Sequence, residues 1–192
     1  FRRLFGEGSF NAAFVPSYSK ELVKGKRKSE NFANNIFNLL TIFLLALVLL
    51  IELFMPYFVS LIAPGFKSNP EKFALATQLT KITFPFLLFV SLSSFFSGIL
   101  NSNNKFAAAA GAPIFLNLIL IFTLLTSSYF ELDFAKNLSY GVTFAGFLQL
   151  IFLIIVVRNY YQPKLRLKRK ISRQVKFFFK KLLPSIFSSG IN

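Results

Sequence analysis

Cysteine, histidine and tryptophan are absent from this 192-residue chain, and methionine occurs once. Without histidine or cysteine the segment has no imidazole or thiolate metal site, no Ser-His or Cys-His catalytic pair, no disulfide, and no haem or iron–sulfur ligation. The missing cysteines do not report on redox compartment, because a bilayer-embedded chain needs no disulfides. Acidic residues are scarce as well: 7 Asp and Glu stand against 22 Lys and Arg, a net charge of +15. Charged residues of both signs make up only 15% of the sequence, well below the roughly 25% of soluble domains. Hydrophobic residues make up 54%, and 28 residues are Phe. Long apolar runs separated by basic clusters mark a membrane protein.

Four apolar stretches, about 39–63, 82–100, 106–126 and 138–157, are each long enough to span about 30 Å of hydrocarbon, which takes roughly 20 helical residues. Turn and polar signals bound them at Ala63-Pro64-Gly65, Asn101-Ser102-Asn103-Asn104 and Glu131-Leu132-Asp133. Two weaker segments flank them. Residues 4–22 are moderately apolar and carry Gly6, Glu7, Gly8, Asn11 and Pro16; a buried amphipathic helix and a polar-lined spanning helix both fit this pattern. Residues 175–192 read as the opening of a further span. The expected organisation is an all-α, polytopic membrane bundle with helices over 1–22, 33–63, 73–100, 106–127 and 138–157. A basic linker follows at 158–174, and the next helix starts at 175–192.

Charge sets the orientation. Residues 20–28 hold five basic residues, Lys20, Lys24, Lys26, Arg27 and Lys28, and residues 158–181 hold ten with no acid. Four spans separate these clusters, so they share a side, together with the turn that contributes Lys105. On the other side, Lys67, Lys72 and Lys136 are offset by Glu71, Glu131 and Asp133. The basic loops are therefore expected in the cytoplasm. A charge of +15 also invites a nucleic-acid reading, but no aromatic-basic binding module accompanies it. The concentration of charge beside the membrane predicts topology and contact of 158–181 with anionic lipid instead.

Ionisable residues within a bilayer cost about 2.5–3.5 kcal/mol each on insertion scales and are functional candidates by default. Arg2 and Arg3 precede the 4–22 segment, roughly 27 Å from its inner end at 1.5 Å per residue. Two placements fit, one at the outer interface and one deeper in the membrane. Arg3, Glu7 and Asn11 follow i, i+4, i+8 spacing and so share a helical face, which should turn toward a bundle interior or an aqueous cavity. Lys81 opens the second secure span. Glu52, one turn before Pro56, reads as an interfacial, solvated residue. Small residues four apart, such as Ser94 and Gly98, read as helix contacts. Asn117 and Gln149 call for interhelical hydrogen bonds or a cavity.

These motifs resemble the MurJ/MviN family of lipid II flippases. Arg2-Arg3-Leu4-Phe5-Gly6-Glu7-Gly8-Ser9-Phe10-Asn11-Ala12-Ala13-Phe14-Val15-Pro16 is similar to the family's second helix, and Ala63-Pro64-Gly65-Phe66 to the outer turn after its third. Leu79-Thr80-Lys81-Ile82-Thr83-Phe84-Pro85 with Gly98-Ile99-Leu100-Asn101 resembles the fourth helix. Ala112-Pro113 with Leu116-Asn117 resembles the fifth, and Leu182-Leu183-Pro184 the opening of the seventh. The resemblance implies a chain cut at both ends. It would form most of the first six-helix lobe of a two-lobe, alternating-access transporter of the cytoplasmic (inner) membrane.

By the same resemblance the substrate is an undecaprenyl-pyrophosphate-linked peptidoglycan precursor. Arg2 and Arg3 match the family's cationic substrate-binding positions, and Glu7 its acidic position. Asn11 and Lys81 are candidates for orienting or coupling, and Glu52 has no family counterpart. No cofactor, metal site, catalytic group or nucleic-acid partner is expected. The competing expectations are an exporter of another polyprenyl-linked oligosaccharide and a non-transporting membrane scaffold.

Overall fold

The computed structural model describes residues 9–164, and every regular element among them is a helix. In chain order these are α1 (Ser9–Val23), α2 (Lys26–Leu53), α3 (Met55–Ile62), a 3-10 turn at Pro64–Ser68, α4 (Pro70–Thr83), α5 (Phe86–Ser102), α6 (Phe106–Gly111), α7 (Ile114–Tyr129) and α8 (Phe134–Val157). Four helical stretches among the described residues are long and apolar enough to cross a bilayer: Lys26–Leu53, Pro70–Ser102, Phe106–Tyr129 and Phe134–Val157. The chain is thus an all-α, polytopic membrane bundle. Arg2, Arg3, Glu7, most of the linker at 158–174 and the expected helix at 175–192 lie outside the described residues.

Local chemistry sets the helix ends. Asn69 and Asp133 cap α4 and α8, their side-chain oxygens accepting the N–H of Lys72 and of Lys136, each at 3.1 Å. Between α1 and α2 the backbone reverses at Gly25 with φ of +117°, a conformation that a Cβ would oppose. Proline divides three of the stretches that hydropathy reads as continuous. Pro56 lies in the first turn of α3, Pro113 immediately precedes α7, and Pro85 falls in the gap between α4 and α5. Pro85 has no N–H for the carbonyl of Lys81, and its ring crowds that carbonyl. In the same turn the carbonyl of Ile82 accepts a 2.6 Å hydrogen bond from the Thr143 hydroxyl of α8. A side chain from a neighbouring helix thus supplies a bond where the helical ladder is broken.

The chain divides into two compact units. The first comprises, among the described residues, 9–42, 90–112 and 150–164. Its core is aromatic. Phe10, Phe14 and Tyr18 stack along α1 with centroids 5.4 and 5.6 Å apart, and Phe14 meets Phe95 of α5 at 5.1 Å. Phe37 of α2 contacts Phe95 and Phe96, and Tyr161 closes edge-on to Phe95 at 5.9 Å. Ring pairs of this kind contribute about 0.5–1.5 kcal/mol beyond the area they bury. Gly98 of α5 permits the close approach of α1: a Cβ there would lie 2.5 Å from Asn11 Oδ1 and 2.7 Å from the Phe14 ring.

The second unit comprises 43–89 and 113–149. Buried Ile51, Met55 and Val59 form its centre, with Phe58, Phe73 and Phe84 packed against them. Phe58 and Phe84 meet edge to face at 5.5 Å, as do Phe89 and Phe147 at 5.7 Å. On α7 the side chains of Leu118, Ile121, Phe122 and Leu125 are exposed, a surface suited to acyl chains rather than water.

Adding one methyl group at Gly98 should overpack the α1–α5 contact. Gly98→Ala is expected to destabilise the bundle by about 1–3 kcal/mol, read as a lower melting temperature. Gly111→Ala, where a Cβ meets nothing within 4 Å, should leave it unchanged or slightly raised.

Candidate functional site

Three of the residues singled out in the sequence, Arg2, Arg3 and Glu7, lie outside the described residues. Asn11 stands in the first turns of α1 and shares a face with Phe14 and Tyr18, at i+3 and i+7, both fully buried. That face packs on α5 at Gly98. The Oδ1 atom of Asn11 is buried and accepts no hydrogen bond among the described residues. Along α5, Ser91 and Ser94 lie on the same stripe as Gly98, at i−7 and i−4, and their buried hydroxyls also lack partners among the described residues. An unsatisfied polar group costs about 1–3 kcal/mol, so a membrane helix that keeps several of them carries polar function or hydration in its interior.

Lys81 lies in the last turn of α4, with an exposed side chain, and belongs to the second unit, whereas Asn11 belongs to the first. Its charge acts on Glu52 of α2. Glu52 is not the fully solvated interfacial residue that its position suggested: one carboxylate oxygen is buried without a hydrogen bond. The structure therefore places in one unit two charges that the sequence reading kept apart, without an ion pair between them. A signal was there to be found, since each stands four residues before a proline (Pro56 and Pro85). Each thus occupies the position whose carbonyl loses its helical partner.

A third cluster escaped the sequence reading. Asn34 Oδ1 on α2 accepts two bonds from the segment after α8, one from the Tyr161 hydroxyl at 2.7 Å and one from the Lys164 backbone N–H at 3.0 Å. Tyr161 is almost wholly buried. Burial pushes its phenol well above the usual tyrosine range, and the charges of Tyr18 and Glu30 add to the effect. It is therefore a permanent donor at neutral pH. Among the described residues no group of acidic side chains is arranged to hold a metal ion.

Comparison with known proteins gives a consistent answer. The sequence profile of the family described as "Lipid II flippase MurJ" matches residues 1–192. A protein of Rickettsia prowazekii named "Probable lipid II flippase MurJ" is 41% identical over 160 residues, covering 83% of this chain and 31% of the relative. Its namesake in Rhizobium tropici is 46% identical over 164 residues, with the same coverages. Another in Rhizobium meliloti is 40% identical over 202 residues, covering 100% of this chain and 37% of the relative. The chain spans about a third of the length of these curated relatives.

The Asn34 clasp yields an alkaline signature. The folded pKa of Tyr161 is raised, so the protonated phenol is the form the fold favours. Its contribution is complete below about pH 10 and is lost as the pH rises further. Tyr161→Phe should lower stability by about 1 kcal/mol at neutral pH, speed hydrogen exchange at the Lys164 amide, and flatten the loss of stability above pH 10. Thermal melts from neutral to alkaline pH check all but the exchange rate.

Proposed function

Because the chain belongs to the lipid II flippase MurJ family, which matches it along its whole length, we propose that the protein carrying it moves lipid-linked peptidoglycan precursor across the cytoplasmic membrane. The observation that carries this reading is that match over residues 1–192, joined to four candidate spans that make the chain part of a multi-pass bacterial membrane protein. The 1–157 segment then supplies helices of the first lobe, and 158–174 links it to the next. The protein is a transporter and not an enzyme.

The physical demand is clear. A diphosphate headgroup carries several negative charges, and hydrocarbon excludes it unless cations face a sheltered cavity. Arg2 and Arg3 meet that demand in this reading. Each guanidinium offers a planar fork for bidentate phosphate contacts, and Glu7 orients them. Asn11 extends the same polar face into the first unit, and Lys81 contributes to coupling through its charge partner Glu52. The prenyl tail stays in lipid while the lobes alternate access to the headgroup.

Orientation follows the positive-inside rule. The connections that carry uncompensated cations, with Lys28, Lys105 and Arg158, all belong to the first unit. The connections in which acids offset the cations, with Lys67 beside Glu71 and Lys136 beside Asp133, belong to the second. This partition supports cytoplasmic placement of the connections that carry Lys28, Lys105 and Arg158, and contact of 158–181 with anionic lipid.

Two outcomes are expected. Losing a charge-assisted phosphate contact costs about 1.5–3 kcal/mol, so Arg2→Ala with Arg3→Ala in the full-length protein should reduce lipid II arrival at the outer face by ten- to a hundredfold. Normal flipping and normal growth of depleted cells rescued by this variant would exclude the proposed role. The segment contains no cysteine of its own, so in a full-length protein whose other cysteines are replaced, single cysteines in this segment report its sidedness. A membrane-impermeant maleimide should label Lys67→Cys in intact spheroplasts and Lys105→Cys only after permeabilisation.

A further inference from the structure

At the end of the first unit where α2 begins and α8 has just ended, the surface opens into a cavity of about 240 Å³. Lys26, Glu30 and Asn34 line it from successive turns of α2; Arg158, Tyr161 and Lys164 line it from the segment after α8. The volume is below the roughly 300–1,000 Å³ of sites for drug-sized ligands and suits a small polar group. Three of the lining residues are cations, and none forms an ion pair with another described residue. Glu30 is the one acid, which leaves the wall with a net charge of +2.

The walls are fixed before any ligand arrives. Asn34 holds both Tyr161 and the Lys164 backbone, and the Tyr161 ring is braced against Phe95 and Phe96. Lys26 opens one candidate span, and Arg158 directly follows another that ends at Val157. The cavity is therefore at the level where a spanning bundle meets lipid headgroups. In sequence the basic run 166–181 follows shortly after the lining residue Lys164.

We propose that this cavity binds the phosphodiester headgroup of an anionic phospholipid, with Lys26 and Arg158 as its phosphate contacts and Lys164 as the cation behind them. Glu30 tunes the choice. It opposes a doubly charged phosphate monoester more strongly than a singly charged diester, which separates a lipid headgroup from free phosphate. The bound lipid would tie the first residues of the linker to α2 and to one leaflet. The assignment to the cytoplasmic leaflet rests on the topology proposed above.

The test is native mass spectrometry of delipidated full-length protein titrated with dioctanoyl phosphatidylglycerol, dioctanoyl phosphatidylcholine and inorganic phosphate. A juxtamembrane cation contributes on the order of fivefold to binding of an anionic surface. Lys26→Ala with Arg158→Ala should therefore weaken phosphatidylglycerol binding tenfold or more and leave phosphatidylcholine unchanged. Lys26→Gln with Arg158→Gln should do the same, keeping side-chain bulk in case the alanine pair perturbs folding. Lys67→Ala with Lys72→Ala removes equal charge in the second unit, at exposed residues that do not line the cavity, and should change binding by less than threefold; an equal loss there would overturn the site in favour of bulk charge. Wild-type binding of phosphatidylcholine as tight as phosphatidylglycerol would overturn it as well. Inorganic phosphate competing at the lipid's own concentration would reassign the cavity to free phosphate. Soluble short-chain lipid reports binding without regard to sidedness, so failure here leaves the topology standing. Reversed labelling of Lys105→Cys would move the cavity to the other leaflet without emptying it.

Discussion

In hydrocarbon every backbone N–H and C=O must find its partner within the protein, and this one requirement organises the described chain. It explains why the described regular elements are all helical and why their interruptions coincide with proline. It also explains the bond from Thr143 to the Ile82 carbonyl, which joins residues 61 apart in sequence. A chain in water could leave that carbonyl to solvent. Here the break beside Pro85 is tolerable because a hydroxyl from α8 reaches it. The same constraint directs the other hydroxyls back onto their own helices: Ser17 to Ala13, Ser102 to Gly98, Thr123 to Ile119 and Ser139 to Ala135, each within 2.8 Å. Against that habit, the unpartnered hydroxyls of Ser91 and Ser94 stand out as exceptions.

Much of the fold was legible because hydropathy and turn chemistry are local. Ala63-Pro64-Gly65 marked the turn that becomes the 3-10 segment Pro64–Ser68. Asn104 and Glu131, inside the polar signals that bounded the spans, adopt positive φ of 59° and 51°. What could not be read was which apolar residue meets protein and which meets lipid. Phe95 is fully buried and Phe122 is 68% exposed, yet both sit in runs of equal greasiness. A bilayer removes the contrast that makes amphipathic patterns readable in water, since lipid is as welcoming to phenylalanine as a protein core is. The aromatic cluster around Phe14 and Phe95 therefore emerges only in three dimensions.

The candidate site divides in the same way. The spacing of Asn11 with Arg3 and Glu7 gave the expectation of a shared polar face; that its amide oxygen lies beside Gly98 without a partner among the described residues needed the neighbouring helix. Lys81 was visible as a charge within a span, but its relation to Glu52 was hidden by a separation of 29 positions in sequence. Long-range pairing of this kind leaves no periodic trace. The family resemblance went furthest where geometry was silent, because an ordered set of motifs encodes a whole arrangement at once.

The contact of Asn34 with Tyr161 and Lys164 bears on how firmly the chain leaving α8 is held. A linker held only by its covalent bond to α8 would absorb rotation over its first residues. Asn34 instead fixes the chain seven residues past Val157, through one side-chain and one backbone bond to a different helix. The bond to Tyr161 carries more than a surface contact would, because breaking it strands a buried phenol, at a cost of about 1–3 kcal/mol. In sequence the polybasic run follows directly after this anchorage, so the point from which it starts is set by the two bonds to Asn34.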